Sequence, residues 1–367
     1  MTAKWAEQVK IASPYQHLIL AYFNSVYFNA RFIASMSSMS STSSTSSTSS
    51  TSSTSYPLLP YQHAHALIDT HTHFDVSIFD ADREQQVLNA MQAGVRHLVL
   101  VGYVAKYFER MRDVQQQINQ QVARQVDKQS VTQAEHNLQA HVAYGLHPFY
   151  IRSHDDADLD ILANELQHHD CLALGEIGLD TFSKTMKQPE HYQRQVRFFQ
   201  AQLQLAQQHQ LPIMLHIRKA HADALKILKQ FRHQQRGNGG IAHSFSGAQQ
   251  EAKAFVKLGF KLGITGQVSN PNAKKLHRAI KAAVDYAGLE CLVIETDCPD
   301  MTPLPCQRRH HHHDVNKPND VNKQPDRNVP ANLPYVLLAL SELLSVPVQL
   351  LAERLWQNSV NALNLSV

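Results

Sequence analysis

Cysteine is scarce in this sequence, and its spacing argues against a thiolate metal site. The chain has 367 residues and only four cysteines, Cys171, Cys291, Cys298 and Cys306, with no Cys-x-x-Cys pair among them. Two of them lie on predicted buried strands, where a small apolar thiol is common. This cysteine usage fits a reducing compartment, so a cytoplasmic location is expected.

Long apolar runs are also missing. The most apolar N-terminal stretch, Leu18–Phe23, is interrupted by polar residues from Asn24 onward, well short of the ~20 apolar residues that a membrane span needs. We therefore expect no membrane span. Two explanations of the first residues stay open: a targeting segment, or translation from an upstream start with Met36 or Met39 as the alternative start.

Charge of one sign does not dominate the chain. Lys and Arg number 34 and Asp and Glu number 31, which gives a net charge of +3. Bulk electrostatics therefore neither require nor exclude a polyanionic partner, and any affinity for phosphate must be local.

A Ser/Thr-rich tract, Ser35–Ser55, separates the N-terminus from the rest of the chain. It cannot bury enough apolar surface to offset the entropy lost on ordering, so it is predicted to be a disordered tether. The predicted organisation is an N-terminal extension, residues 1–65, and a catalytic-type domain, residues 66–367, that contains an inserted loop at 301–330.

From residue 66 onward, short apolar runs alternate with longer amphipathic stretches, which is typical of a parallel sheet covered by helices. Eight strands in about 300 residues match the usual size of a (β/α)₈ TIM barrel, the predicted fold class. The strands are predicted near 66–70, 97–102, 141–145, 171–176, 211–216, 240–244, 260–265 and 291–296. The helices are predicted at 83–94, 104–123, 157–169, 189–210, 219–233, 249–258 and 272–287, and a C-terminal pair at 331–344 and 347–363.

Candidate metal ligands close five of these predicted strands. Active sites of such barrels lie at the C-terminal ends of the strands, so all six side chains are expected to point into one mouth. Histidine with carboxylates, without thiolates, suits a catalytic Zn²⁺, Mn²⁺, Co²⁺ or Mg²⁺ site. The candidates are His71 and His73 on strand 1, Glu176 on strand 4, His216 on strand 5, His243 on strand 6 and Asp297 on strand 8.

The segments around these residues resemble the TatD family of metal-dependent deoxyribonucleases. Their amino-acid sequences are most similar to those of its YjjV branch. The resemblance spans about residues 66–363. It rests on His71-Thr-His-Phe-Asp, Gly145-Leu-His-Pro, Gly175-Glu-Ile-Gly-Leu-Asp, Leu215-His-Ile-Arg, His243-Ser-Phe-Ser-Gly, Glu295-Thr-Asp-Cys-Pro-Asp and Arg327-Asn-Val-Pro-Ala-Asn.

The resemblance implies a TIM-barrel hydrolase that cleaves DNA phosphodiester bonds, often from the 3′ end, with two divalent metal ions. It implies that His71, His73, Glu176 and Asp297 hold one ion, and that Glu176, His216 and His243 hold the other. Glu176 is the expected bridging carboxylate. Asp297 is expected to ligate metal and to accept the proton of the attacking water, with a purely structural ligand as the alternative.

Two further residues are candidates for contact with substrate. His147 is expected either to contact a phosphate or to support the site, and a structural role under Pro148 is the alternative. Arg218 can contact a phosphate through its forked guanidinium, or form a salt bridge. The four adjacent histidines from His310 to His313 lie in the inserted loop, lack the spacing of a fixed site and are predicted to be disordered surface.

Three other functions stay open. Amidohydrolase-type enzymes use similar barrel positions, but many have a carbamylated lysine where this chain has Glu176. Ester hydrolysis on D-aminoacyl-tRNA is a further alternative, and a non-catalytic, metal-loaded binding module is the third. DNA is the expected substrate; no obligate protein partner is predicted, and the oligomeric state stays open.

Overall fold

The structure, a computed structural model, describes residues 66–126, 137–234, 239–307 and 327–366. All of these residues belong to one compact unit, Tyr61–Val367. The predicted extension 1–65 and the central part of the predicted insertion, including His310 to His313, lie outside the described residues. Predictions about those two segments stay predictions.

Eight parallel strands form one sheet whose order follows the chain, from β1 to β8. Each strand pairs with the next one along the chain, and helices separate them, so the prediction of a (β/α)₈ barrel is confirmed. The strands are β1 (Leu67–Thr72), β2 (Val95–Val101), β3 (Gln139–Tyr144), β4 (Ala173–Asp180), β5 (Ile213–Arg218), β6 (Gly240–Ala242), β7 (Phe260–Ile264) and β8 (Leu292–Ile294).

The helices cover the outside of the sheet and follow the predicted amphipathic segments. They are α1 (Arg83–Gln92), α2 (Phe108–Val126), α3 (Asp156–His168), α4 (Pro189–Gln208), α5 (His221–Gln234), α6 (Gln249–Lys257), α7 (Lys274–Ala287), α8 (Leu333–Leu344) and α9 (Val348–Leu363). The last residues of α9 pack on a small apolar cluster that strands contribute to the barrel interior, including Ile68, Val99 and Val293.

Side-chain and backbone hydrogen bonds close the barrel between β1 and β8. The Asp69 carboxylate accepts hydrogen bonds from the Thr296 N–H at 2.8 Å and from the Thr296 hydroxyl at 2.6 Å. The Asp297 N–H donates to the His71 carbonyl at 2.9 Å. This seam therefore fixes the two chain segments that carry His71 and Asp297 beside each other.

The structure corrects the predicted end of strand 4. Glu176 was expected to close that strand, but β4 continues to Asp180 because its pairing with β5 extends to the pair Asp180 and Arg218. Glu176 therefore lies in the middle of β4. The other predicted carboxylate ligand, Asp297, lies in the loop after β8, three residues beyond Ile294.

Within the described part of the chain, no single helix is both long enough and apolar enough to cross a membrane. The segments Pro330–Leu344 and Val348–Leu363 pass that test of length and composition only when taken together, and they are bent by 114°.

Gly145, which follows β3, has no room for a side chain. A Cβ atom there would lie 2.3 Å from the carbonyl carbon of Gly175 and 2.6 Å from the nitrogen of Glu176. We expect Gly145→Ala to lower the free energy of unfolding by about 1–3 kcal/mol, because the methyl group would force these backbones apart. Urea denaturation followed by circular dichroism measures this change. Ser153→Ala, at an exposed position, is the control; equal midpoints in the two variants would contradict the expectation.

Candidate metal centre at the barrel mouth

The carboxylate of Glu176 is the centre of the mouth. Its side chain is only 1% exposed and is surrounded by imidazole nitrogens. Burial disfavours its charge, but the neighbouring histidines outweigh burial and hold the pKa of Glu176 well below its ordinary value. The nitrogen-to-oxygen distances are 3.3 Å from His71 Nε2, 3.6 Å from His73 Nε2, 3.4 Å from His147 Nε2, 2.6 Å from His216 Nδ1 and 3.7 Å from His243 Nε2.

The carboxylate of Asp297 faces three of the same rings. Its carboxylate oxygens lie 3.8 Å from His71 Nε2, 4.0 Å from His73 Nε2 and 3.6 Å from His243 Nε2. Asp297 has a φ of 56°, in the left-handed region that non-glycine residues adopt at a cost, and such backbone strain is often found at functional sites. Burial raises the pKa of its carboxyl to about 6.

His71 carries the clearest sign that the mouth fits a cation. Both of its ring nitrogens are buried and make no hydrogen bond, although buried polar atoms in proteins normally have partners. Burial lowers the pKa of His71 to about 3, so the ring is neutral at pH 7 and has a lone pair available. Its Nε2 faces both Glu176 and Asp297, an arrangement that a divalent cation would complete.

Three groups of side chains each bring candidate ligand atoms within 4.8 Å of one another. Glu176 is shared by two of the groups, and His71 is also shared by two. The groups are His71 with His73 and Glu176; His147 with Glu176 and His216; and His71 with His243 and Glu295. These groups contain five of the six predicted ligands, and the sixth, Asp297, lies within 4.0 Å of His71, His73 and His243, so all six share one mouth.

His216 links Glu176 to a second carboxylate, Asp180. Its Nδ1 lies 2.6 Å from Glu176 Oε1, and its Nε2 lies 3.1 Å from Asp180 Oδ2. The other oxygen of Asp180 accepts a hydrogen bond from the Phe182 N–H at 2.8 Å. Asp180 lies outside the site predicted from the sequence, although it lies four residues after Glu176 on one strand, where alternate residues share a face.

His243 has a corresponding partner in Glu295. Its Nδ1 lies 3.0 Å from Glu295 Oε1. Glu295 also accepts a hydrogen bond from the Ser244 N–H at 2.6 Å and one from the Thr70 hydroxyl at 3.1 Å. Glu295 lies outside the site predicted from the sequence, although its position two residues before Asp297 is a signal for it. Such outer carboxylates fix the ring orientation of a ligating histidine.

His147 differs from the other histidines in the way its ring is held. Its Nδ1 accepts a hydrogen bond from the Phe149 N–H at 2.9 Å. Burial lowers the pKa of His147 to about 4, so the ring is neutral at pH 7 and carries its proton on Nε2, which faces Glu176. A nitrogen that carries a proton is a hydrogen-bond donor and cannot ligate metal in that form.

Arg218 ends β5 at the rim of the mouth. Its guanidinium carbon lies 3.7 Å from the centre of the Phe182 ring, in a cation–π contact. Both side chains are exposed. The guanidinium is thus oriented beside the mouth by a ring on the neighbouring loop.

An eight-stranded parallel barrel with buried histidines and carboxylates at the C-terminal mouth defines the class of barrel metal-dependent hydrolases. The family model described as TatD related DNase matches residues 68–364. The chain therefore belongs to the TatD family of metal-dependent hydrolases.

Relatives within that family cover most of the chain. The metal-dependent hydrolase YjjV of Escherichia coli K12 is 31% identical over 300 residues, 81% of this chain and 98% of YjjV. The 3′-5′ ssDNA/RNA exonuclease TatD of Salmonella typhimurium is 30% identical over 276 residues, 74% of this chain and 88% of TatD. The crystal structure of YjjV superposes with a TM-score of 0.62 at 30% identity, over 82% of this chain and 98% of YjjV.

We predict that His216 is protonated at pH 7 in the metal-free protein. Burial lowers its pKa, but Glu176 and Asp180 outweigh burial and raise the pKa from 6.5 to about 9. The stability that this raised pKa provides is therefore full below pH 6.5 and is lost as the pH rises through about 9. NMR titration of the imidazole nitrogens in chelator-treated protein measures the pKa.

Asp180→Asn should lower the pKa of His216, since it removes one of the two negative charges at that ring. Asp156→Asn is the matched control, because Asp156 is an exposed carboxylate whose ion-pair partner is Arg197. A His216 ring that is already neutral at pH 7 in the wild-type protein would contradict the prediction.

Proposed function

We propose that this protein is a deoxyribonuclease that cleaves phosphodiester bonds of single-stranded DNA from the 3′ end, with two divalent metal ions. The observation that carries the proposal is the buried carboxylate of Glu176, whose Oε2 faces His71 and His73 while its Oε1 faces His216 and His243. The exonuclease name of the TatD relative, together with similarity over 88% of its length, supports the choice of substrate. A cytoplasmic location stays a prediction.

The proposed ligand sets are those expected from the sequence. His71, His73, Glu176 and Asp297 would hold one ion, and Glu176, His216 and His243 would hold the other. When bound, such ions supply Lewis-acid activation of water and neutralise charge on the phosphate. The donor set, nitrogen and oxygen without thiolate, leaves the choice among Mg²⁺, Mn²⁺, Co²⁺ and Zn²⁺ open.

Other steps, namely proton transfer, phosphate binding and orientation of the histidines, are assigned to side chains in and around the mouth. Asp297, whose pKa is raised to about 6, is the proposed acceptor for the proton of the attacking water. His147 presents a proton on Nε2 and would donate a hydrogen bond to a phosphate oxygen. Arg218, at the rim, would pair with a phosphate of the same strand. Asp180 and Glu295 would hold His216 and His243 in the required orientation.

The direct test is to incubate the purified full chain with single-stranded DNA labelled at the 3′ or the 5′ end. Parallel reactions contain Mg²⁺, Mn²⁺, Co²⁺ or Zn²⁺. The proposal expects early release of the 3′ label as mononucleotide, while the 5′-labelled strand shortens step by step. Intact DNA with every metal would overturn the proposed function, and early release of the 5′ label would overturn its polarity.

Removal of metal should abolish hydrolysis. Excess EDTA is expected to reduce the rate of hydrolysis to background, because the proposed mechanism needs the ions to activate water. Added Mn²⁺ or Co²⁺ is expected to restore the rate. The same metals should raise the melting temperature of chelated protein, since ligands that bind only the folded state stabilise it. Full activity in EDTA would contradict the metal mechanism.

Glu176→Ala and Asp297→Asn should each reduce kcat by at least ~10²-fold, the scale of losing a general base or an essential electrostatic contact. Asp285→Asn is the control, because Asp285 is an exposed carboxylate on α7. Circular dichroism checks that each variant is folded. Near-normal kcat in a folded Glu176 or Asp297 variant would remove that residue from the proposed site.

A further inference from the structure

A continuous set of aromatic rings leads from the histidines of the mouth to the protein surface. The rings of His73 and Tyr103 have centroids 5.7 Å apart, Tyr103 and Tyr150 5.5 Å, and Tyr150 and Phe149 5.5 Å. Tyr107 lies beside Tyr103, with centroids 5.3 Å apart. We call Tyr103, Tyr107, Phe149 and Tyr150 the aromatic wall.

The outer end of the aromatic wall is exposed although it is strongly apolar. Phe149 is 46% exposed and Tyr150 is 38% exposed. Rings that served only to fill the core would be buried, since aromatic side chains gain most from full burial. Two adjacent exposed rings beside a catalytic mouth are therefore better explained by contact with a ligand.

The exposed rings are held in a defined position. They lie on a short 3-10 helix, Pro148–Tyr150, that directly follows His147. The Phe149 N–H donates to His147 Nδ1 at 2.9 Å, and the Tyr150 N–H donates to the His147 carbonyl at 3.0 Å. The position of the wall is thereby coupled to the histidine that faces Glu176, with a ring-centroid distance of 5.7 Å from His147 to Tyr150.

The chemistry of the wall selects a flat, π-rich ligand attached to an anionic chain. Exposed aromatic rings such as Phe149 and Tyr150 present faces on which a nucleobase can stack. A positive charge accompanies them, because the Lys106 ammonium lies 4.8 Å from the centre of the Tyr107 ring. A purely aliphatic ligand would use neither the ring faces nor the ammonium.

We propose that the aromatic wall is a base-stacking subsite, which takes an unpaired nucleobase next to the phosphodiester bond that is cleaved. The inference rests on the proposed function and deepens it, because it assigns the preference for single strands to named side chains. In a duplex the base next to the cleaved bond is paired with the complementary strand and stacked on its inner neighbour, so it reaches the wall only after it leaves both.

Binding of a fluorescent base tests the subsite without relying on turnover. The probe is a single-stranded oligonucleotide with 2-aminopurine as its 3′-terminal base and methylphosphonate in its two last linkages, which resist cleavage. It is titrated with the Mn²⁺-loaded full chain. The wild-type protein should quench the fluorescence, because stacking on an aromatic ring quenches 2-aminopurine.

Phe149→Ala and Tyr150→Ala should weaken binding about tenfold and remove most of the quenching, the scale expected for one stacked base. Phe149→Trp should retain both. Tyr286→Ala is the matched control, because Tyr286 is 51% exposed and lies near the C-terminal end of α7, at the opposite end of the barrel. Equal affinity and equal quenching in Phe149→Ala and Tyr286→Ala would overturn the inference.

A second substrate separates this inference from the proposed function. Cleavage of a strand with a normal 3′-terminal nucleotide is compared with cleavage of one whose terminal sugar is abasic. The subsite predicts a KM about tenfold higher for the abasic strand with the wild-type protein, and no such difference with Phe149→Ala.

If neither strand is cleaved by the wild-type protein, the proposed function fails. If both are cleaved and the wild-type protein does not distinguish them, only the subsite fails. Sedimentation of the free proteins adds a further check: self-association of the wild-type chain that Phe149→Ala abolishes would assign the wall to a contact between copies and overturn the base-stacking assignment.

Discussion

The constraint on which the mouth depends is the buried negative charge of Glu176. A carboxylate that is 1% exposed is costly unless positive groups or hydrogen-bond donors surround it. Five imidazoles do so here, contributed by β1, β5 and the loops that follow β1, β3 and β6. The parallel barrel makes this possible, because it brings the ends of strands that are distant in sequence to one edge.

The outer carboxylates Asp180 and Glu295 contribute to the charge of the imidazoles that they contact. His71 has no such partner at its ring nitrogens, and burial lowers its pKa to about 3. His216 and His243 are equally buried, yet nearby carboxylates outweigh burial. Glu176 and Asp180 raise the pKa of His216 to about 9, and Asp297 and Glu295 raise that of His243 to about 10. In the metal-free protein the same residue type is thus neutral at His71 and His147 and cationic at His216 and His243. Asp180 and Glu295 therefore help to set the charge of the mouth although they are not among the proposed metal ligands.

Sequence reasoning could predict the eight strands and the ligand residues because both depend on local signals: apolar runs with flanking helices, and polar residues at the ends of those runs. It placed Glu176 at the end of β4 because a charged residue directly follows an apolar run there, whereas inter-strand pairing extends the strand to Asp180. The aromatic wall was not foreseen. Tyr103 and Tyr150 lie in different loops, and only the alignment of β2 beside β3 brings them to a ring distance of 5.5 Å.

The surroundings shift the pKa values of the two carboxyl groups of the mouth, Glu176 and Asp297, in opposite directions. Both are buried, and burial alone would raise both pKa values. Glu176 is enclosed by imidazoles and stays ionised, with its pKa well below the ordinary value. Asp297 lies at the edge of the ring, with Glu176 and Glu295 as negative neighbours, and its pKa is raised to about 6. When the surroundings move the pKa values of two carboxyl groups apart, one group usually stays charged and the other exchanges protons. The separation supports Glu176 as the fixed anion that holds cations and Asp297 as the acceptor poised near neutral pH.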